Sequence, residues 1–263
     1  MLNTSRREPR ADKPPSHVRV AQPSVLRRLL TEIARDRAAF LRNLGRAWRT
    51  GYCCIRYSLV GARRGVPELV DFVCGDHFLR ATQVPSELAA LGEILAARRP
   101  EGALEIGTAR GGTLVFLCRL ANPQATIVSV DLPPAELPRY RRIQGWLCMR
   151  FARRKQRVDL LQGDSHSSKM LTKVKACLKG REVSYLFVDG DHTYEGVKRD
   201  FELYAPLVRK GGIIALHDIA EHRDTSVCGV SRFWNHVKQR YLHTEIINDP
   251  RQGWAGIGVL YID

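Results

Sequence analysis

The chain has 263 residues, 44% of them hydrophobic and 26% charged, with a formal net charge of +15 at pH 7. That length supports one ample α/β core with a modest extension, and the composition excludes a disordered polymer. No stretch approaches the roughly 18–20 apolar residues that span a bilayer, so no transmembrane segment is expected.

The N-terminus has no apolar run of the secretory type. The seven cysteines (Cys53, Cys54, Cys74, Cys118, Cys148, Cys177, Cys228) form no CxxC pair and no zinc-like spacing. Reduced thiols and a cytoplasmic location are expected. The positive charge is uneven, with 13 Arg and Lys against 4 Asp and Glu in residues 1–60 and a second cluster from Arg139 to Arg157. Such fields attract nucleic acid or anionic lipid. The reading preferred here is a solvated basic surface, with contact to either partner through the basic N-terminus not favoured.

Residues 1–22, with Pro14, Pro15 and few large apolar side chains, read as a disordered basic tail. Residues 23–85 read as a helical N-terminal extension or lid, because Leu29, Leu30, Ile33, Ala34, Phe40, Leu41, Leu44 and Trp48 recur at helical intervals. From residue 86 to 263 the pattern is that of an α/β domain. A helix is expected over 86–98, with Ser86 as its cap. Strands are then expected at 103–107, 125–131, 158–164, 185–190, 212–218, 244–249 and 256–262. The helices between them fall at 112–121, 138–154, 166–179, 194–208 and 228–241. Strands alternating with helices mean right-handed βαβ units and a parallel sheet. Only the short turn DPRQGWA separates the last two strands, so they must pair antiparallel. The fold class is a doubly wound, seven-stranded, mostly parallel α/β sheet of Rossmann-like type with an antiparallel last strand.

Open α/β sheets bind ligands at the carboxyl ends of their strands. The first strand ends in Glu105, Gly107, Thr108 and Gly111, in a G-x-x-x-G-G spacing rather than G-x-G-x-x-G, and no phosphate-loop lysine follows. A nicotinamide enzyme and an NTPase are therefore disfavoured. The second strand ends in Asp131, which can take two ribose hydroxyls. The third ends in Asp164 and Ser165, which can accept from an adenine amino group. The fourth carries Asp189 and His192, and the fifth ends in His217 and Asp218. Neighbouring strand ends bring Asp189 and Asp218 within reach of one ion. Carboxylates and water suit Mg²⁺ or Mn²⁺, while an imidazole widens tolerance toward softer metals.

The run LEIGTARGG, then SVD, QGDS and LFVDGDHTYEGVKRDFELYAPLVRKGGIIALHD, resembles class I S-adenosylmethionine-dependent methyltransferases over about residues 80–263. Within them it looks most like metal-dependent small-molecule O-methyltransferases, the macrolide-sugar O-methyltransferase and cephalosporin hydroxylase-like group. The resemblance implies that residues 86–263 bind S-adenosylmethionine. Glu105, Gly107, Thr108 and Gly111 would then shape the methionine pocket. Asp131 would hold the ribose, with Asp164 and Ser165 beside the adenine. It further implies a metal on Asp189, His217 and Asp218, with His217 standing where relatives have an acid. His192, three residues after Asp189, would be the catalytic base. The plainer reading of His192 is a cap for the helix beginning at Tyr194, and His222 is a weaker candidate for base.

The implied acceptor is a hydroxyl on a small molecule, of sugar or natural-product type, and self-association is compatible with such relatives. The [DN]PP[YF] motif of amino-group methyltransferases is replaced by DGDH. An RNA-directed methyltransferase, supported mainly by charge, and a non-catalytic binding protein of the same fold are the alternatives. Acceptor specificity is expected in the segments near 50–85 and 219–228. Phe233, Trp234 and Trp254 are expected to be core aromatics.

Overall fold

Strands of a parallel sheet are covered on both faces, so they draw on short runs rich in apolar and β-branched residues. The computed structural model describes residues 65–133 except 77 and 78, 148–222 except 154, and 228–263, with isolated positions 44, 45, 48, 51, 52 and 145. The expectations for 1–22, for most of the N-terminal extension and for most of the helix at 138–154 fall outside the described residues. The chain divides after Leu44, and the sheet lies in the unit Gly45–Asp263.

All seven expected strands form: β1 (Gly102–Ile106), β2 (Thr126–Asp131), β3 (Arg157–Gln162), β4 (Val183–Val188), β5 (Val208–His217), β6 (Leu242–Ile246) and β7 (Ile257–Tyr261). Their order across the sheet is β3-β2-β1-β4-β5-β7-β6. The first five strands pair in parallel, and β7 lies antiparallel between β5 and β6. The sequence reading of a parallel sheet closed by an antiparallel hairpin is thus the architecture found.

Flanking the sheet are the helices α1 (Val66–Gly75), α2 (Pro85–Arg98), α3 (Gly112–Leu120), α4 (Ser168–Leu178), α5 (Tyr194–Tyr204) and α6 (Val230–Val237). Alternate strand residues feed two cores. Ala103, Ile127, Tyr185, Phe187, Ile213 and Val259 pack under α1, α2 and α3. Leu104, Ile106, Val128, Leu186, Ile214 and Leu260 pack under α4, α5 and α6. Each such Leu, Ile or Phe, removed fully from water, contributes roughly 1.5–3 kcal/mol. Phe233 and Trp234 lie in this second core as expected. Trp254 does not, being 46% exposed. It sits in the loop before β7.

Helix starts depart from the sequence reading in two places. Ser86 does not cap α2. The N-cap is Val84 with Pro85 in the first turn, and Ser86 Oγ instead donates to Asn248 Oδ1 at 2.8 Å. Proline at the first helical position needs no capped N–H, which leaves the hydroxyl available elsewhere. Thr193, not His192, caps α5 by accepting from Gly196 N at 3.0 Å. Among the described residues no helix is long and apolar enough to cross a membrane.

Candidate functional site

The chain turns between β1 and α3 through Gly107 and Gly111, both with positive φ (96° and 86°). A Cβ on Gly107 would overlap the Asp189 carbonyl, and one on Gly111 would overlap Cys148 Sγ. Glycine is therefore required by close approach as well as by φ. The turn is fastened from below. Ser129 Oγ donates to Glu105 Oε2 at 2.5 Å and lies 2.6 Å from Thr108 Oγ1. Glu105 is 1% exposed, and burial pushes its pKa up to about 7. The structure thus places Glu105 beneath the turn, while Thr108 and Gly111 line an open cleft with Asp131 and Cys148.

Asp131 closes β2, and its Oδ1 accepts from Leu132 N at 2.8 Å. Asp164, after β3, accepts from His166 N at 2.9 Å, and the Ser165 carbonyl accepts from Tyr204 at 2.6 Å. Behind them His166 Nε2 stands 3.3 Å from Asp200 Oδ1. Asp200 is fully buried, and that burial raises its pKa.

The ends of β4 and β5 bring the second group together. His217 Nδ1 is 3.1 Å from Asp189 Oδ1 and 3.4 Å from Asp218 Oδ2. His192 Nδ1 is 2.6 Å from Asp218 Oδ2, and His222 Nε2 is 3.4 Å from Asp218 Oδ1. Asp218 sits at φ 64°, in the left-handed region. Its Oδ1 also accepts from Ala255 N at 3.1 Å. The charges set one another. The hydrogen bond to Asp218 holds His192 up at about 10. Burial opposes a charge on His217, yet the carboxylates of Asp189 and Asp218 keep it at about 10. Burial raises Asp218 less than the two imidazoles lower it, so it lies well below the usual carboxylate range. Every strand-end residue singled out in the sequence thus lies at the carboxyl edge of the sheet. His192, Asp189, His217 and Asp218 form one cluster.

Three members of the neighbourhood escaped the sequence reading as such. Gln83 donates from Nε2 to Asp189 Oδ2 at 2.7 Å, and it belongs to no motif. Cys228, one of the scattered thiols, places Sγ within 4.8 Å of ligand atoms of His192 and Asp218. Asp200 reaches the site from the middle of α5. Its only signal is an acid amid the inward-facing Val197, Phe201 and Tyr204.

Residues 104–219 match the sequence model of a family described as a methyltransferase domain. A 41-residue stretch, 16% of this chain, is 46% identical to an uncharacterised protein of Acanthamoeba polyphaga mimivirus, spanning only 19% of it. Among solved structures, the fold is similar to the O-methyltransferase TomG from Streptomyces achromogenes, involved in tomaymycin synthesis and bound to S-adenosylmethionine. That likeness has a TM-score of 0.54 at 18% identity, over 80% of this chain and 95% of that one. An O-methyltransferase from Bacillus cereus, bound to S-adenosylhomocysteine, gives 0.55 at 19% identity, over 80% and 97%. At such identities the likeness is one of fold. Residues 104–219 thus resemble a methyltransferase domain, and the sheet around them has the fold seen in these two O-methyltransferases.

Proposed function

We propose that the chain transfers a methyl group from S-adenosylmethionine to a hydroxyl of a small molecule, of sugar or natural-product type, with help from a divalent ion. The observation carrying this reading is the convergence of Asp189, His192, His217 and Asp218 beside the glycine turn. Asp131 would take the ribose hydroxyls. Thr108 and Gly111 would border the methionine part, and Asp164 and Ser165 the adenine. An ion fits the second cluster. Asp189, His217 and Asp218 offer ligand atoms within 4.8 Å of one another, with the buried His217 Nδ1 facing both carboxylates. Those three residues would hold it. When bound, such an ion lowers the pKa of a hydroxyl and orients it.

His192 is the residue placed to receive the hydroxyl proton. Its side chain is 47% exposed, its Nδ1 is fixed by Asp218, and its Nε2 lies 4.0 Å from Asp189 Oδ1. Because Asp218 favours the charged ring, the fraction of His192 able to accept a proton grows with pH. Transfer is therefore expected to rise from neutral into alkaline solution. His192→Gln should flatten that profile and lower the rate by about 10²- to 10³-fold without weakening cofactor binding. An unchanged rate in this variant would remove His192 as the base.

The separating experiment is calorimetric titration with S-adenosylmethionine. Asp131→Ala should lose binding by at least about tenfold, the loss of a charged hydrogen-bond acceptor. Asp189→Asn should bind normally yet transfer poorly. Equal loss of binding in both variants would overturn the division of roles, and no binding by the wild-type chain would overturn the function.

A further inference from the structure

The donor atoms around Asp218 are richer in nitrogen than a magnesium site needs. Mg²⁺ takes oxygen ligands in near-octahedral order and gives up its waters reluctantly. Of the three groups that converge here, only Asp189 and Asp218 are carboxylates. The third, His217, is 5% exposed. Nδ1 faces the space between the carboxylates, 3.1 Å from Asp189 Oδ1 and 3.4 Å from Asp218 Oδ2. The surroundings are of the same character. His222 Nε2 lies 3.4 Å from Asp218 Oδ1, and the Cys228 thiol adjoins Asp218. His192 donates to Asp218 Oδ2, as an outer-shell partner orients a ligating carboxylate.

Imidazole suits zinc and the later first-row ions, whereas carboxylate and water suit magnesium. We infer that Asp189, His217 and Asp218 form a transition-metal centre of the Zn²⁺ kind, and that the His217 imidazole is what turns it away from Mg²⁺. This rests on the metal-assisted reading above and deepens it by naming the class of ion.

Zinc binds most sites more tightly than magnesium, so the test lies in how the ratio of affinities responds to residue 217. The full chain, stripped with a chelator, is titrated with Zn²⁺ and with Mg²⁺ against a chromophoric indicator. It is also titrated with Co²⁺ and followed by visible absorption. The wild-type chain should bind one Zn²⁺ that Asp189→Asn weakens, and Co²⁺ should show the absorption of a nitrogen-ligated site. His217→Glu should bind Zn²⁺ about tenfold more weakly and Mg²⁺ more tightly. An unchanged Zn²⁺ to Mg²⁺ ratio would overturn the inference. So would Zn²⁺ binding indifferent to Asp189→Asn, or no divalent binding at all.

Should His217→Glu fail to fold, Cu²⁺ bound to the wild-type chain decides. Pulsed electron paramagnetic resonance should show a directly coordinated imidazole nitrogen that Zn²⁺ displaces, and oxygen-only coordination would overturn the assignment. S-adenosylmethionine titration of the same metal-free samples keeps the two readings apart. Cofactor binding without a selective metal site leaves the methyltransferase standing and removes only this inference.

Discussion

Glu105 carries the largest electrostatic load beneath the glycine turn. Burial pushes its pKa to about 7, against the hydrogen bonds from Ser129 and Thr113 that favour its charge. In the unfolded chain a glutamate ionises near about 4.3. Between those values the folded protein keeps a proton that the unfolded chain has released. Stability therefore falls as pH rises from about 4.3 to 7 and is level above that, by an amount on the order of 3 kcal/mol. Glu105→Gln should abolish this slope. Urea midpoints at pH 5 and pH 8 check it: the wild-type chain should lose more stability between them than the variant, and parallel losses would mean Glu105 does not titrate in that window. The sequence marked Glu105 as important but not its place, because an acid two residues before a glycine turn reads alike whether it faces the cleft or the core. The positions of the acids Asp131, Asp189 and Asp218 at the carboxyl ends of strands were legible from the runs they follow.

The turn joining β1 to α3 shows what a short element can and cannot reveal. Its glycines were legible as a tight turn, whereas their neighbours were not. Cys148 lies 37 residues from Gly111, and Asp189 lies 82 residues from Gly107. Gly111→Ala would meet both the backbone cost of a positive φ and overlap with the Cys148 sulfur. The expected loss is about 1–3 kcal/mol, with at least tenfold weaker S-adenosylmethionine binding. Adding Cys148→Ala should restore part of the stability by removing the overlap, leaving roughly 1 kcal/mol of conformational cost. A double variant no more stable than the single one would show that φ alone makes the position glycine. Strands were legible for a related reason. Both faces are covered, so β1, β2 and β4 are buried for nearly their whole length. Helix starts were less so. A serine beside a proline fits both a cap and a first-turn position, and at Ser86 the proline decides.

At the scale of the whole molecule, the site depends on a contact that no local pattern announces. Glu87, on the first turn of α2, is 1% exposed and grips the segment between β6 and β7. Its carboxylate accepts from Asn248 N at 3.0 Å, Gln252 Nε2 at 2.7 Å and Gly256 N at 2.9 Å. That same segment donates from Ala255 N to Asp218 Oδ1, while Ala220 N returns a bond to the Ala255 carbonyl. A residue near the start of the α/β domain thus steadies the carboxylate around which three histidines gather, across more than 160 positions of sequence. In the sequence Glu87 was only a helical first-turn acid, a placement that the helix dipole explains by itself. Glu87→Gln keeps the size but turns an N–H donor toward one of the three donors it now receives. The cost should be about 2–3 kcal/mol, that of a charged hydrogen-bond acceptor lost in the interior. If the clasp also steadies Asp218, transfer should fall at a temperature where the variant is still folded. Binding of S-adenosylmethionine, proposed to involve Asp131 on the far side of β1, should stay unchanged. Lower stability with full transfer would make Glu87 a brace for the hairpin alone, and Asp218 would then owe its position to β5 and its histidines.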